Sequence, residues 1–95
     1  MAMFVIFDVE IWNMASYQEF MRQVKPAIEA AGGRYLARGG VPQVHEGDWI
    51  PRRLVLLEFP SGAVFESFYN GPVYQGLKAM RDACSSARLV SVEGL

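Results

Sequence analysis

The stretch Arg53-Leu54-Val55-Leu56-Leu57-Glu58-Phe59 constrains the fold most. A polar, turn-forming segment, Glu46-Gly47-Asp48-Trp49-Ile50-Pro51, leads into it, and Pro60-Ser61 stops it. An apolar run of this length, rich in branched side chains and bounded by turn residues, reads as a strand buried on both faces. A strand of that kind needs a partner layer on each side. The chain has only 95 residues in which to supply them.

The flanking sequence reads as alternating elements. Met3 to Ile11 is a strand with apolar residues on both parities up to Asp8 and Glu10. Asn13 is an N-cap for a helix running to about Ala31. Tyr17, Phe20, Met21, Val24, Ala27 and Ile28 fall on one stripe of that helix. Pro26 lies inside it and removes a backbone donor, and Gly32 suits a left-handed cap. Arg34 to Arg38 is a short strand, followed by a long loop opened by Gly39, Gly40 and Pro42. After the central strand, Ser61 caps a short helix carrying Val64, Phe65, Phe68 and Tyr69. Asn70-Gly71-Pro72 breaks it, and Pro72 starts the next helix. There Val73, Leu77, Met80 and Cys84 form one stripe, and Tyr74, Lys78 and Arg81 the neighbouring one. Arg88 to Glu93 is the last strand.

The order β-α-β-β-α-β is the ferredoxin-like arrangement of the α+β class: a four-stranded antiparallel sheet, order 4-1-3-2, with the helices on one face. A single domain over residues 1–95 is expected. A chain this short buries only about 60–65% of its unfolded surface. Yet 52% of the residues are hydrophobic, and both parities of the central strands are apolar. The open face of the sheet is therefore expected to be covered by a second copy, in a homodimer with sheets about 10 Å apart.

Composition excludes some classes. The net charge is −1 with no basic stripe, so no nucleic-acid partner is expected. The apolar N-terminus meets Asp8 and Glu10 at once and has no basic leader, so neither a membrane span nor a signal sequence is expected. Cys84 is the only cysteine, which rules out an internal disulfide and fits a reducing cytoplasm. One His and one Cys, far apart, give no metal-ligand spacing, and the lone Gly39-Gly40 pair is no phosphate cradle. No metal, flavin, haem or nucleotide cofactor is expected.

The chain also resembles the domain-of-unknown-function family thirteen-thirty, in the dimeric α+β barrel superfamily. The resemblance rests on Gly32-Gly33-Arg34-Tyr35-Leu36-Ala37-Arg38-Gly39-Gly40, Glu46-Gly47-Asp48-Trp49, Arg53 through Ser61, Phe68-Tyr69-Asn70-Gly71-Pro72-Val73-Tyr74-Gln75 with Leu77, Lys78 and Arg81, and Val92-Glu93-Gly94. Phe68 stands where the family commonly has Trp, and Gly71 where it commonly has Ser, which removes a helix cap. The resemblance implies a homodimer and assigns no catalytic residues. Relatives in the superfamily include cofactor-free monooxygenases, small-lactone isomerases and haem-handling enzymes, a likeness of fold alone.

Among residues suited to chemistry, Tyr69, Tyr74 and Arg81 are the leading ligand-binding set. Each carries a polar tip on an apolar or planar body, suited to a small anion or phenol. The alternative is that Tyr74 and Arg81 only cover the helix–sheet edge, the arginine stem lying along apolar surface. Arg38 is placed to join from its strand end. His45 and Trp49, in the long loop, are assigned to the mouth of the site, His45 as a proton shuttle or as a solvated loop residue. Asp8 and Glu10 read as rim carboxylates, and Glu58, at the opposite end of its strand nearer Arg34 and Glu93, is either a rim ion pair or a polar group projecting into a cleft. The broken helix at Phe68–Pro72 is expected to leave a gap over the sheet. Two functions fit: a small cofactor-independent enzyme acting on an apolar or aromatic substrate, or a non-catalytic dimeric module that binds a small ligand or serves in stress or regulation.

Overall fold

The structure, a computed structural model, describes residues 1–95. The elements are β1 (Met3–Ile11), α1 (Met14–Ala30), β2 (Arg34–Arg38), β3 (Leu54–Phe59), α2 (Gly62–Asn70), α3 (Pro72–Asp82) and β4 (Ser85–Glu93). The four strands form one antiparallel sheet in the order β2-β3-β1-β4. This is the ferredoxin-like topology, with the second helical segment split in two.

The alternation of β1 and β3 divides their side chains between two environments. Val5, Phe7 and Val9, with Val55, Leu57 and Phe59, are buried beneath the helices. Across from them α1 contributes Tyr17, Phe20, Val24 and Ile28, α2 Phe65, and α3 Tyr74 and Leu77. The opposite parity forms the open face. There Ile6 lies between Leu56 and Val90, and Phe4 between Glu58 and Val92. Val90 and Val92 are 61% and 57% exposed, so this face presents apolar side chains to solvent in the single chain.

Local chemistry sets the element ends. The Asn13 side chain accepts from the Ser16 N–H at 3.1 Å, and the Ser61 hydroxyl accepts from the Val64 N–H at 3.1 Å. Gly32 stops α1 with φ +87°, the left-handed conformation that glycine adopts without steric cost. Gly33 lets the helix end close on the sheet. A Cβ there would lie 2.8 Å from the Phe59 ring and 2.9 Å from Ile28 Cγ2. Gly71 begins α3 with no side-chain cap, as expected from its lack of a hydroxyl.

Three details differ from the sequence reading. Strand β4 begins at Ser85 rather than Arg88, because β1 continues to Ile11 and pairs with Ser85. The Ser85 hydroxyl also donates to the Arg81 carbonyl at 2.6 Å, tying the strand start to α3. The inward stripe of α3 is Tyr74, Leu77 and Arg81, while Val73 is 65% exposed. Finally, the gap expected under the broken helix is filled by stacked aromatic rings. Phe59 meets Phe65 at 5.2 Å and Phe68 at 5.3 Å between centroids, Phe68 meets Tyr74 at 5.0 Å, and Tyr74 meets Tyr69 at 5.2 Å. Such tilted pairs add about 0.5–1.5 kcal/mol each beyond the area they bury.

Candidate functional site

Helix α3 turns Tyr74 and Arg81 toward the sheet, since residues seven apart share a helix face. Tyr74 is 2% exposed and Arg81 4%. The Arg81 Nη1 donates to the Tyr74 hydroxyl at 2.6 Å, and Nη2 reaches the Asp82 carboxylate at 3.3 Å. The guanidinium stands 5.3 Å from the Phe7 ring centroid. Its Nε is buried and has no hydrogen-bond partner. Arginine has five donors, and a buried donor left unpaired is costly. Arg81 therefore does not snorkel along the edge of the fold. It brings a charge into the apolar layer between helices and sheet.

Three tyrosines surround this layer. Burial pushes the Tyr74 phenol up to about 12, although the Arg81 charge and hydrogen bond pull it down. Burial likewise raises Tyr17, against the charges of Arg53 and Arg81. Tyr35 is raised by burial, with Arg38 opposing. All three are neutral hydrogen-bond donors at ordinary pH. The enclosed space between them, lined mostly by aromatic and aliphatic side chains, is about 20 Å³. That is room for about one water molecule.

Arg38 lies at the mouth of this layer. Its guanidinium sits 4.6 Å over the Tyr35 ring, and its side chain lines the enclosed space. A bulge between Tyr35 and Ala37 shifts the register, so Arg38 pairs with the inward-facing Val55. Tyr69 is half-buried behind Tyr74 and stacks on it. On the helix side of the sheet Tyr74 thus contacts both Tyr69 and Arg81, and it shares the lining of the enclosed space with Arg38.

His45 and Trp49 lie elsewhere. His45 is exposed in the β2–β3 loop. Trp49 lies against the open face, where its indole N–H donates to Asp8 Oδ2 at 3.0 Å. The Arg52 N–H donates to Asp8 Oδ1, also at 3.0 Å. Burial would raise the Asp8 carboxyl, but these bonds and the Arg88 charge outweigh it and hold the group below its usual value. With Ile6, Arg88 and Val90, Trp49 borders a shallow groove on that face. The loop is therefore anchored on the sheet side opposite Tyr74 and Arg81.

Sequence reasoning did not single out Tyr17, Tyr35 and Arg53. Tyr17 read as one member of the α1 core stripe. Arg53 is partly buried, its guanidinium 5.8 Å from the Tyr17 ring centroid, with Nη2 against Met21 Sδ at 3.5 Å and Nε unpaired. The available signal was the arginine directly abutting the most apolar strand. No three His, Cys, Asp or Glu side chains converge into a metal-binding group. No helix is long and apolar enough to cross a membrane.

Comparison with solved structures places the chain among ferredoxin-like proteins. A protein of unknown function from Rhodopseudomonas palustris, RPA0582, superposes with TM-score 0.81 at 21% identity, covering 99% of this chain and 82% of that one. SnoaB, a cofactor-independent oxygenase from Streptomyces nogalater, gives 0.66 at 13% identity, covering 99% and 92%. A dimeric ferredoxin-like protein of unknown function from Jannaschia sp. CCS1 gives 0.66 at 13% identity, covering 99% and 100%. No curated protein matches the sequence. Residues 2–95 match the family described as Domain of unknown function (DUF1330), and since the match spans nearly the whole sequence, the chain belongs to that family.

Proposed function

We propose that this protein is a cytoplasmic homodimer that binds a small, mostly apolar or aromatic molecule between its helices and sheet, beside Tyr74 and Arg81. The observation that carries this reading is the buried Arg81 guanidinium with an unpaired Nε in an otherwise apolar layer. A layer that served only as core would not gain from a buried donor left unpaired. Tyr74, hydrogen-bonded to Arg81 and neutral far above physiological pH, is the donor that a phenol or carbonyl would meet. The enclosed space is small, so the ligand enters by displacing side chains at the open edge rather than by filling a ready cavity.

The homodimer rests on the apolar open face. Phe4, Ile6, Leu56, Val90 and Val92 form a continuous patch there, and a second copy of the same face is its natural complement. The ferredoxin-like neighbour from Jannaschia is described as dimeric, which supports the same assembly.

A second reading is cofactor-independent chemistry on a small aromatic substrate, favoured by the fold shared with the oxygenase SnoaB. Burial raises the Tyr17, Tyr35 and Tyr74 phenols above their ordinary value, so they stay protonated, which suits them to orient a substrate rather than to take its proton. Binding is therefore the primary reading. The test is a nuclear magnetic resonance titration with a panel of phenols and aromatic acids, alongside oxygen-uptake assays on the same compounds. Shifts centred on Tyr74 and Arg81 without turnover are expected. Oxygen uptake would favour the enzyme, and no perturbation of the interior by any compound would defeat both.

A further inference from the structure

The enclosed aromatic space adjoins a surface cleft at one edge, between α1 and the β2–β3 side of the sheet. Met21 and Arg38 line both that space and an outer cleft of about 320 Å³, whose other walls are Arg22, Lys25 and Arg53. Four of the five residues around this outer cleft are cations. Arg22 is paired with Glu19 on its own helix. Lys25, Arg38 and Arg53 have no carboxylate in ion-pair contact. Arg53 is the most demanding of them. It is partly buried, and its partners are a methionine sulfur, which is a weak acceptor, and the face of Tyr17. Its Nε has no partner. A planar fork of donors held this way matches a carboxylate.

We infer that the edge between α1 and β2–β3 is the entrance to the interior, and that its ligand is an amphipathic carboxylate whose apolar ring points inward past Met21 while its carboxylate is held by Arg53 and Arg38. This deepens the reading of an interior binding site and rests on it. Met21 is the natural gate: it is unbranched, flexible and shared by both spaces. Its displacement joins the outer cleft to the aromatic layer without moving the backbone. The ligand's ring would meet Tyr17 and Tyr35, and its charge would satisfy the arginine donors that now lack an oxygen acceptor.

The test uses the full-length protein with 1-naphthoate and its neutral isostere 1-naphthamide, measured by calorimetry and by nuclear magnetic resonance. Naphthoate is expected to bind about tenfold or more tightly than naphthamide, the size expected of one charge-assisted contact. The preference should largely vanish in Arg53→Gln and fall in the exposed variant Arg38→Gln, which keeps the test valid if Arg53→Gln folds poorly. Amide shifts should cluster on Met21, Tyr35 and Arg38. Equal binding of both probes in the interior would overturn the anion preference and leave the interior site standing. Binding of naphthoate on the Trp49 side of the sheet would overturn the entrance. Failure of both probes to bind would overturn this inference, and a wider phenol panel that still perturbs Tyr74 and Arg81 would show that the interior reading survives it.

Discussion

The Arg81 guanidinium donates a 2.6 Å hydrogen bond to the Tyr74 hydroxyl, two helical turns earlier on α3, with both side chains almost wholly withdrawn from water. The pair is coupled: the tyrosine oxygen is the nearest acceptor for a charge that the surrounding layer cannot solvate.

Tyr74→Phe should therefore destabilise the fold by about 1–3 kcal/mol, because it leaves a buried Arg81 donor without its acceptor. Arg81→Ala should cost more, since it also removes packing against Phe7 and leaves the Tyr74 hydroxyl alone. Urea denaturation of both variants checks the order. A stabilised Tyr74→Phe would mean the bond does not form.

Alkaline titration provides a second check. The Tyr74 phenol is raised from 10.0 to about 12, so the folded state resists its ionisation. The stability this provides is fully present below pH about 10 and is lost as the pH rises toward 12. Its size is on the order of 2–3 kcal/mol. Wild-type stability should fall across this window more steeply than that of Tyr74→Phe. Parallel curves would contradict the shift.

Leu56 and Leu57 are neighbours that point to opposite faces of β3, which separates assembly from folding. Leu57 is 3% exposed beneath the helices, so Leu57→Asp should abolish folding. Leu56 lies on the open face and is only partly covered in the single chain. Leu56→Asp should give a folded monomer of 10.6 kDa from a dimeric parent, read by light scattering and circular dichroism. A wild-type monomer, or a dimeric Leu56→Asp, would remove the open face as the interface.

Asp8 holds the long loop through Trp49 and Arg52. Its folded pKa is depressed, so its contribution is present above the unfolded value near 4 and is lost as the pH falls through the lower folded value. Asp8→Asn should lower stability at pH 7 and flatten the acid limb of the stability curve. Trp49 fluorescence should shift toward that of a solvated indole. Unchanged emission and an unchanged acid limb would mean the loop is held otherwise.

Gly33→Ala should destabilise by about 1–3 kcal/mol through overpacking, because its Cβ would press on the Phe59 ring and on Ile28. Gly40→Ala, at a position with open space, is the control and should change stability little. Thermal denaturation of the two variants compares them.

Much of this fold was legible in the sequence because its signals are local and repetitive. The apolar run of β3 between turn residues, the period of α1 from Tyr17 to Ile28, the caps at Asn13 and Ser61, and Pro72 at a helix start each depend on residues a few positions apart. Hydrogen bonding and side-chain periodicity act over that range, so they can be read without the fold. The pairing of Tyr74 with Arg81 follows from helical spacing in the same way.

Only the tertiary structure decided which faces these side chains met and what they found there. The period of β2 alone sets Arg38 opposite to Tyr35. The bulge at Leu36, imposed by pairing with β3, turns Arg38 onto the same side, against the Tyr35 ring. The 15-residue span from Gly39 to Arg53 carries no periodic signal, and Trp49 goes to the open face because Asp8 on β1 offers it an acceptor there. Arg53 reads as the first residue of the central strand, yet it lies against Tyr17 and Met21 of α1, 36 and 32 positions earlier in the chain. Contacts that distant depend on how the elements pack, and side-chain pattern within one element carries no record of them.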